Sequence, residues 1–143
     1  MNETIKRFGY PETLVAEYPH WVVLVRPEQP TLGSLILAAK SEATAFSDLP
    51  TAAFAELALV TGELEHALKR FVNYEKINYL MLMMVDRHVH FHVLPRYEGT
   101  RSVADIAVAD QGWPKAPSLG AAVALEADGI AALVSALRRE WGA

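Results

Sequence analysis

The spacing of apolar side chains divides the chain into strands and helices. Short runs rich in β-branched and aromatic residues predict five strands, over 13–18, 21–25, 33–39, 76–84 and 88–94. Between the third and fourth of these, apolar residues recur at steps of three and four over 50–72, which predicts one long amphipathic helix. A second helix is predicted over 126–141, because acidic residues lie at its start and arginines at its end.

This order of elements predicts an α+β fold. A tight turn over 85–87 joins the last two strands as a hairpin, and such connections favour an antiparallel sheet. We therefore expect a five-stranded antiparallel sheet with the long helix packed on it and a further helix at the C-terminus. Glycines and prolines recur over 98–119, which predicts mostly irregular structure there.

Length and composition narrow the class of protein. The 143 residues are 52% hydrophobic and 21% charged, which is typical of one folded domain spanning 1–143. The net charge of −4 and the lack of a basic cluster argue against binding to duplex nucleic acid. There is no cysteine, which excludes disulfides and thiolate metal sites. No apolar stretch resembles a secretory signal or a membrane span, so we expect a cytoplasmic protein with no membrane partner.

Three of the five histidines fall within five positions of the last predicted strand. They alternate with apolar residues in the run His88-Val89-His90-Phe91-His92-Val93-Leu94. In a strand, alternate residues lie on one face, about 6.5–7 Å apart, so one phosphate group can contact more than one ring. Imidazole has a pKa near neutral pH and can attack, donate a proton or bind a metal there.

Two other interpretations of the alternating histidines stand beside this one. Isolated histidines in strands are usually partly exposed residues of a polar face. Two histidines in a His-x-His pattern can also bind zinc or copper. Because no cysteine is present and no further ligand lies at an obvious spacing, we predict that no metal is bound.

The triad and its flanks resemble the histidine triad (HIT) superfamily, in particular bacterial HIT-domain proteins. The signature of that family is His-φ-His-φ-His-φ-φ, where φ is apolar. The resemblance covers about residues 10–115, and its flanks are Gly33-Ser34-Leu35-Ile36-Leu37, Asn78-Tyr79-Leu80, Pro95-Arg96-Tyr97 and Trp113-Pro114.

The resemblance implies a single HIT-like domain, with its core over 10–115 and a C-terminal helix over 126–141, and a homodimer. It also implies hydrolysis or nucleotidyl transfer on a nucleoside phosphate or dinucleoside polyphosphate, without a cofactor. In HIT enzymes the middle histidine attacks the α-phosphate and is transiently nucleotidylated. This implies that His90 is the nucleophile and that His88 and His92 are donors to phosphate oxygens or the leaving group.

Four further residues are expected to bind substrate. Ser34 stands where many HIT proteins carry another histidine, and its hydroxyl can hydrogen-bond a phosphate. Arg26 stands where nucleotide-binding branches place an acidic or amide residue near the ribose. Arg87 and Arg96 lie near the two ends of the histidine strand and can contact phosphates. Two alternatives remain open, a non-catalytic nucleotide-binding module and a metal-binding protein.

Overall fold

The computed structural model describes residues 1–142, in which helices cover both faces of one β-sheet. The helices are α1 (Glu3–Arg7), α2 (Thr51–Val72) and α3 (Ala127–Glu140), with 3₁₀ turns at Phe46–Asp48 and Leu119–Ala121. The strands are β1 (Leu14–Glu17), β2 (Trp21–Val25), β3 (Glu28–Gln29), β4 (Leu35–Ala39), β5 (Lys76–Leu80), β6 (His90–Arg96), β7 (Thr100–Val103), β8 (Ile106–Ala109) and β9 (Val123–Ala124). Within the described residues, no helix is both long and apolar enough to cross a membrane.

The main sheet has five antiparallel strands in the order β1-β2-β4-β6-β5, which confirms the predicted fold class. In the centre, Ile36 of β4 lies opposite His92 of β6, and Ala38 lies opposite His90. Directly opposed residues in an antiparallel pair share one face of the sheet. The register therefore places both histidines beside small or apolar neighbours from β4.

The two faces of the sheet support different layers. The larger core lies between the sheet and helices α2 and α3, where side chains such as Leu37, Val93 and Leu64 are fully buried. The opposite face carries a smaller cluster that includes Ile36, and Ile5 of α1 covers it with no exposed surface. Because strand residues alternate between faces, β6 contributes Phe91 and Val93 to the first layer and His90 and His92 to the second.

Three local predictions differ from the structure. The strand predicted over 76–84 ends at Leu80, and the following segment up to Val89 forms a loop rather than a tight turn. The segment over 98–119, predicted to be mostly irregular, contains the two-stranded hairpin of β7 and β8. Helix α1 is an element that the hydrophobic pattern did not reveal, because five residues are too few to show a helical period.

Arg96, expected to bind substrate, instead forms a buried ion pair. Its Nε and Nη2 atoms donate to the two carboxylate oxygens of Asp110 at 2.7 and 3.0 Å. Nη1 donates to Asn78 Oδ1, and Nη2 also donates to the carbonyl of Lys115. The Arg96 and Asp110 side chains are only 4% and 1% exposed. Four of the five N–H donors of the guanidinium are therefore engaged, and the side chain joins the end of β6 to the segment that follows β8.

We expect Asp110→Asn to destabilise the protein strongly. The substitution keeps the shape of the side chain but leaves the Arg96 charge buried without a counter-charge, which typically costs about 3–5 kcal/mol. Urea unfolding followed by circular dichroism measures the change.

Glu17→Gln is the matched control, because Glu17 makes an ion pair of 2.8 Å with Lys40 at the surface. Exposed pairs contribute about 0–1 kcal/mol, so this variant should unfold near the wild-type midpoint. Equal effects of the two substitutions would contradict the structural role given to the Arg96–Asp110 pair.

Candidate active site

His90 and His92 lie side by side in one cleft. Their ring centroids are 5.1 Å apart, with the ring planes inclined at 70°. The cleft has a volume of about 300 Å³ and is lined by Phe8, Arg26, residues 82–86, His90 and His92. Both histidines are buried at the level of the whole residue, so each presents only a small part of its ring to the cleft.

The backbone of the triad fixes the orientation of the His90 ring. His90 Nδ1 lies 2.7 Å from the carbonyl oxygen of His88. A carbonyl can only accept, so Nδ1 carries the hydrogen in this contact. In the neutral ring Nε2 then keeps its lone pair, which is the form that a nucleophilic imidazole requires.

His92 has the opposite arrangement. Arg26 Nε donates to His92 Nδ1 over 3.2 Å, and arginine has no acceptor atom, so Nδ1 is the unprotonated nitrogen. The hydrogen of the neutral His92 ring therefore lies on Nε2. Burial, followed by the charge of Arg26 and then by His90, lowers the pKa of His92 from 6.5 to about 4. Near neutral pH this ring is an uncharged N–H donor.

His88 does not open onto this cleft. It precedes β6, and the Thr4 hydroxyl accepts its backbone N–H at 3.2 Å and contacts Nδ1 at 2.9 Å. Its Nε2 lies 3.7 Å from a carboxylate oxygen of the exposed Glu42. The ring borders a separate cavity of about 130 Å³. Alternation over a strand at 88–94 predicts that the three rings share one face, but the strand begins at His90, and Thr4 of α1 holds the His88 ring beside the other cavity.

The remaining residues predicted to bind substrate lie in different environments. Arg26 lines the cleft directly. Ser34 is fully buried, and its hydroxyl donates to the carbonyl of Thr31 at 2.7 Å, so it cannot contact a ligand in this conformation. Arg87 is exposed and borders the smaller cavity beside His88.

Sequence analysis did not identify Phe8 as part of the site. The Phe8 ring contacts His90 and His92 at centroid distances of 5.5 and 5.9 Å, edge-on to the second. It lies directly after α1, at least 80 positions before the triad. No local pattern reports such a distant contact.

The loop between β5 and β6 closes the other side of the cleft. Met83 lines it and has a φ of 54°, in the left-handed region that non-glycine residues adopt rarely. Leu82, Met84 and Val85 of the same loop are exposed apolar side chains. The cleft thus combines apolar walls with two imidazoles, one guanidinium and the carboxylate of Asp86.

No group of three or more His, Cys, Asp or Glu side chains among residues 1–142 is arranged to hold a metal ion. His90 and His92 have their Nδ1 atoms engaged by a carbonyl and a guanidinium, which leaves two Nε2 atoms, one with a lone pair and one with a hydrogen. Such a pair can attack an electrophile from one ring and donate a hydrogen bond from the other.

The model of the HIT domain family matches residues 8–99, which include all three histidines. No curated protein sequence matches the chain. A histidine triad protein of known structure from Bradyrhizobium japonicum is 23% identical, covering 99% of this chain and 96% of its own, with a TM-score of 0.73. A HIT protein from Sinorhizobium meliloti is 21% identical, covering 98% and 95%, with a TM-score of 0.74.

A diadenosine triphosphate hydrolase from Plasmodium falciparum is more distant in sequence. It is 10% identical, covers 90% of this chain and 76% of its own, and has a TM-score of 0.66. At these identities the three structures establish a shared fold. The family match rests on the sequence itself and spans well over half of the chain, so this protein belongs to the HIT family.

Proposed function

We propose that this HIT-family protein is a hydrolase or nucleotidyl transferase that acts on a nucleoside phosphate or dinucleoside polyphosphate. The reaction passes through a covalent nucleotide adduct on His90. The observation that carries the proposal is the pair of opposite tautomers in one cleft, where His90 offers a lone pair and His92 an N–H. An in-line displacement at phosphorus needs both a nucleophile and a donor to its oxygens.

In the first step, the lone pair of His90 Nε2 attacks the α-phosphorus. The new N–P bond forms as the bond to the bridging oxygen breaks, and the leaving group departs with that electron pair. The imidazole gains positive charge in this step. The hydrogen bond from His90 Nδ1 to the His88 carbonyl stabilises that charge, because hydrogen bonds to a charged group are stronger than neutral ones. Water or another acceptor then attacks phosphorus as the N–P bond breaks. The electron pair of that bond returns to Nε2, the attacking oxygen releases its proton to solvent, and neutral His90 is restored.

His92 acts as a hydrogen-bond donor to the phosphate or the leaving oxygen. With its pKa at about 4, the ring is not a charged proton source near pH 7. A phosphate leaving group suits this site, because it departs as an anion and its second pKa lies near 6. This favours phosphoric anhydrides as substrates.

The remaining substrate contacts are assigned by position. Arg26 lines the cleft with a guanidinium that can contact phosphate oxygens, and Arg87 borders the neighbouring cavity. The apolar side chains of Phe8 and Met83 give the cleft a surface for a nucleoside. His88 contributes its carbonyl to His90, and its ring is anchored by Thr4.

The comparisons support the nucleotide class of substrate. The matching family model is that of the HIT domain, and one structural relative carries the name diadenosine triphosphate hydrolase. A homodimer and a cytoplasmic location belong to the same proposal and rest on the family resemblance and on composition. Sedimentation across micromolar concentrations tests the dimer.

We expect His90→Ala to reduce turnover of a panel of nucleotides and dinucleoside polyphosphates by at least about 10³-fold, because the nucleophile is removed. Wild-type protein quenched in acid-free denaturant should carry an added nucleotidyl mass, and the variant should not. Chromatographic product analysis and intact-mass measurement provide the two readouts.

His66→Ala is the control, since His66 is an exposed residue of α2. It should match the wild type in both measurements. If the wild type binds nucleotides saturably but forms neither adduct nor product, the protein is a binding module and the enzymatic proposal fails. Equal turnover by the wild type and His90→Ala would exclude the mechanism.

The neutral state of His92 predicts a preference among leaving groups. At pH 7 we expect nucleoside phosphoric anhydrides to react faster than nucleoside phosphoramidates that release a basic amine, because an amine must acquire a proton to leave. Single-turnover rates of adduct formation with matched adenosine compounds test this. Faster reaction of the phosphoramidate would show that a full proton donor operates in the cleft.

A further inference from the structure

We propose that Arg26 is a positioning residue, whose Nε–H holds His92 in the tautomer that presents Nε2–H to the substrate. The inference rests on the proposed function for its catalytic consequence, but its structural content concerns the free protein. It assigns Arg26 a role beyond contact with a phosphate.

Arg26, which directly follows β2, is held by hydrogen bonds of both its backbone and its side chain. Its backbone N–H donates to the carbonyl of Ser34 at 3.0 Å, and Gln29 Nε2 donates to its carbonyl at 2.6 Å. The Arg26 side chain is anchored separately, since Nη1 donates to the carbonyl of Glu28 at 2.8 Å. With the backbone and one end of the guanidinium fixed, Nε is directed at His92 before any substrate arrives.

The chemistry of the guanidinium then selects one tautomer. Arginine has five N–H donors and no acceptor, and it keeps its charge at all relevant pH values. A His92 ring with hydrogen on Nδ1 would direct that hydrogen at the Arg26 Nε–H. A hydroxyl or amide at this position can either donate or accept, so it leaves the tautomer unspecified. Arg26 therefore favours only the tautomer of His92 with an unprotonated Nδ1.

Few other groups compete for His92. The charged or titratable residues that face it are Arg26 from the end of β2, His90 from the same strand, and Asp86 from the loop that closes the cleft. Asp86 is itself 3.2 Å from Arg7 Nε. Within residues 1–142, Arg26 Nε is the hydrogen-bond partner recorded for the His92 ring. Removing it should therefore leave the ring without a fixed proton position.

Nitrogen-15 NMR of the histidine side chains tests this in unliganded protein. The wild type should show His92 as the Nε2–H tautomer, titrating near pH 4. In Arg26→Met we expect a mixture of tautomers and a higher pKa. That pKa should remain below 6.5, because burial is the largest cause of the shift and it persists. Arg26→Lys, which can donate but not accept, should restore most of the wild-type signal.

The same shift gives stability a pH dependence. Unfolded His92 takes up a proton near pH 6.5, but the folded protein does so only near pH 4. Between these values the unfolded state binds more protons, so the free energy of unfolding falls as the pH falls from about 6.5 to about 4. This His92 contribution is fully present above that window. In Arg26→Met the pKa of folded His92 should rise toward 6.5. The free energy of unfolding should therefore fall less on acidification than in the wild type.

Kinetics separate positioning from substrate binding. If Arg26 positions His92, Arg26→Met lowers kcat by at least about tenfold, and Arg26→Lys recovers part of that loss. Arg139→Met is the control, because Arg139 is an exposed residue of α3 and its substitution removes the same charge away from the cleft. It should leave the His92 signals and kcat at wild-type values. Arg26→Gln gives a second uncharged variant if Arg26→Met does not fold by circular dichroism.

Two results would overturn the inference. One is an unchanged His92 tautomer and pKa in folded Arg26→Met or Arg26→Gln. The other is a rise in KM with kcat and the NMR signals unchanged, which would make Arg26 a substrate anchor alone. Because the NMR measurement needs no turnover, a protein without nucleotidyl activity would defeat the proposed function and leave the Arg26–His92 result standing.

Discussion

The pairing of β4 with β6 is the constraint on which the site depends. It places His90 opposite Ala38 and His92 opposite Ile36 on one face, and it sends Phe91 and Val93 into the core beneath α2. A slip of one residue would exchange these sets and bury imidazoles among hydrocarbon side chains. Because burying unpaired polar groups in the core is costly, packing of the core fixes the register and keeps the histidines on the opposite face.

The site is built so that two chemically identical side chains differ. The His88 carbonyl accepts from His90 Nδ1, while the Arg26 guanidinium donates to His92 Nδ1. Nδ1 is therefore a donor in His90 and an acceptor in His92. As a result, Nε2 carries a lone pair in neutral His90 and a hydrogen in neutral His92. Burial reinforces the difference at His92 by disfavouring its charged form. A neutral His92 ring beside the Arg26 cation also avoids the repulsion that a charged ring would meet there.

The N-terminal residues complete the site from the other side. Ile5 closes the apolar cluster on the histidine face, Thr4 holds His88, and Phe8 packs against His90 and His92. Asn2 ties this segment to the sheet, because its side-chain amide donates to the carbonyls of Ala39 and Ser41. Helix α1 also separates the three histidines, because it contacts the His88 ring while His90 and His92 line the cleft.

Prediction from the sequence succeeded where a feature repeats along the chain. The long helix, the C-terminal helix and the sheet follow from periodic apolar spacing, and the triad signature gave the family. It did not reveal whether an individual polar side chain is buried in the protein or exposed in the cleft. Ser34 and Arg96 have side chains suited to phosphate, but the Ser34 hydroxyl donates to the carbonyl of Thr31, and Asp110 accepts two N–H groups of Arg96. Residue type alone does not report either contact.

Local sequence thus determined the five strands of the main sheet to within a few residues, the two longer helices, and the alternation of His90 and His92 on β6. The physical reason is that backbone periodicity and side-chain hydrophobicity act over a few neighbouring positions. Only the tertiary structure decided that His88 lies apart, that Arg26 meets His92 across 66 positions, and that the two remaining rings carry their hydrogens on different nitrogens. Protonation and access depend on groups brought together by packing, and no local pattern encodes them.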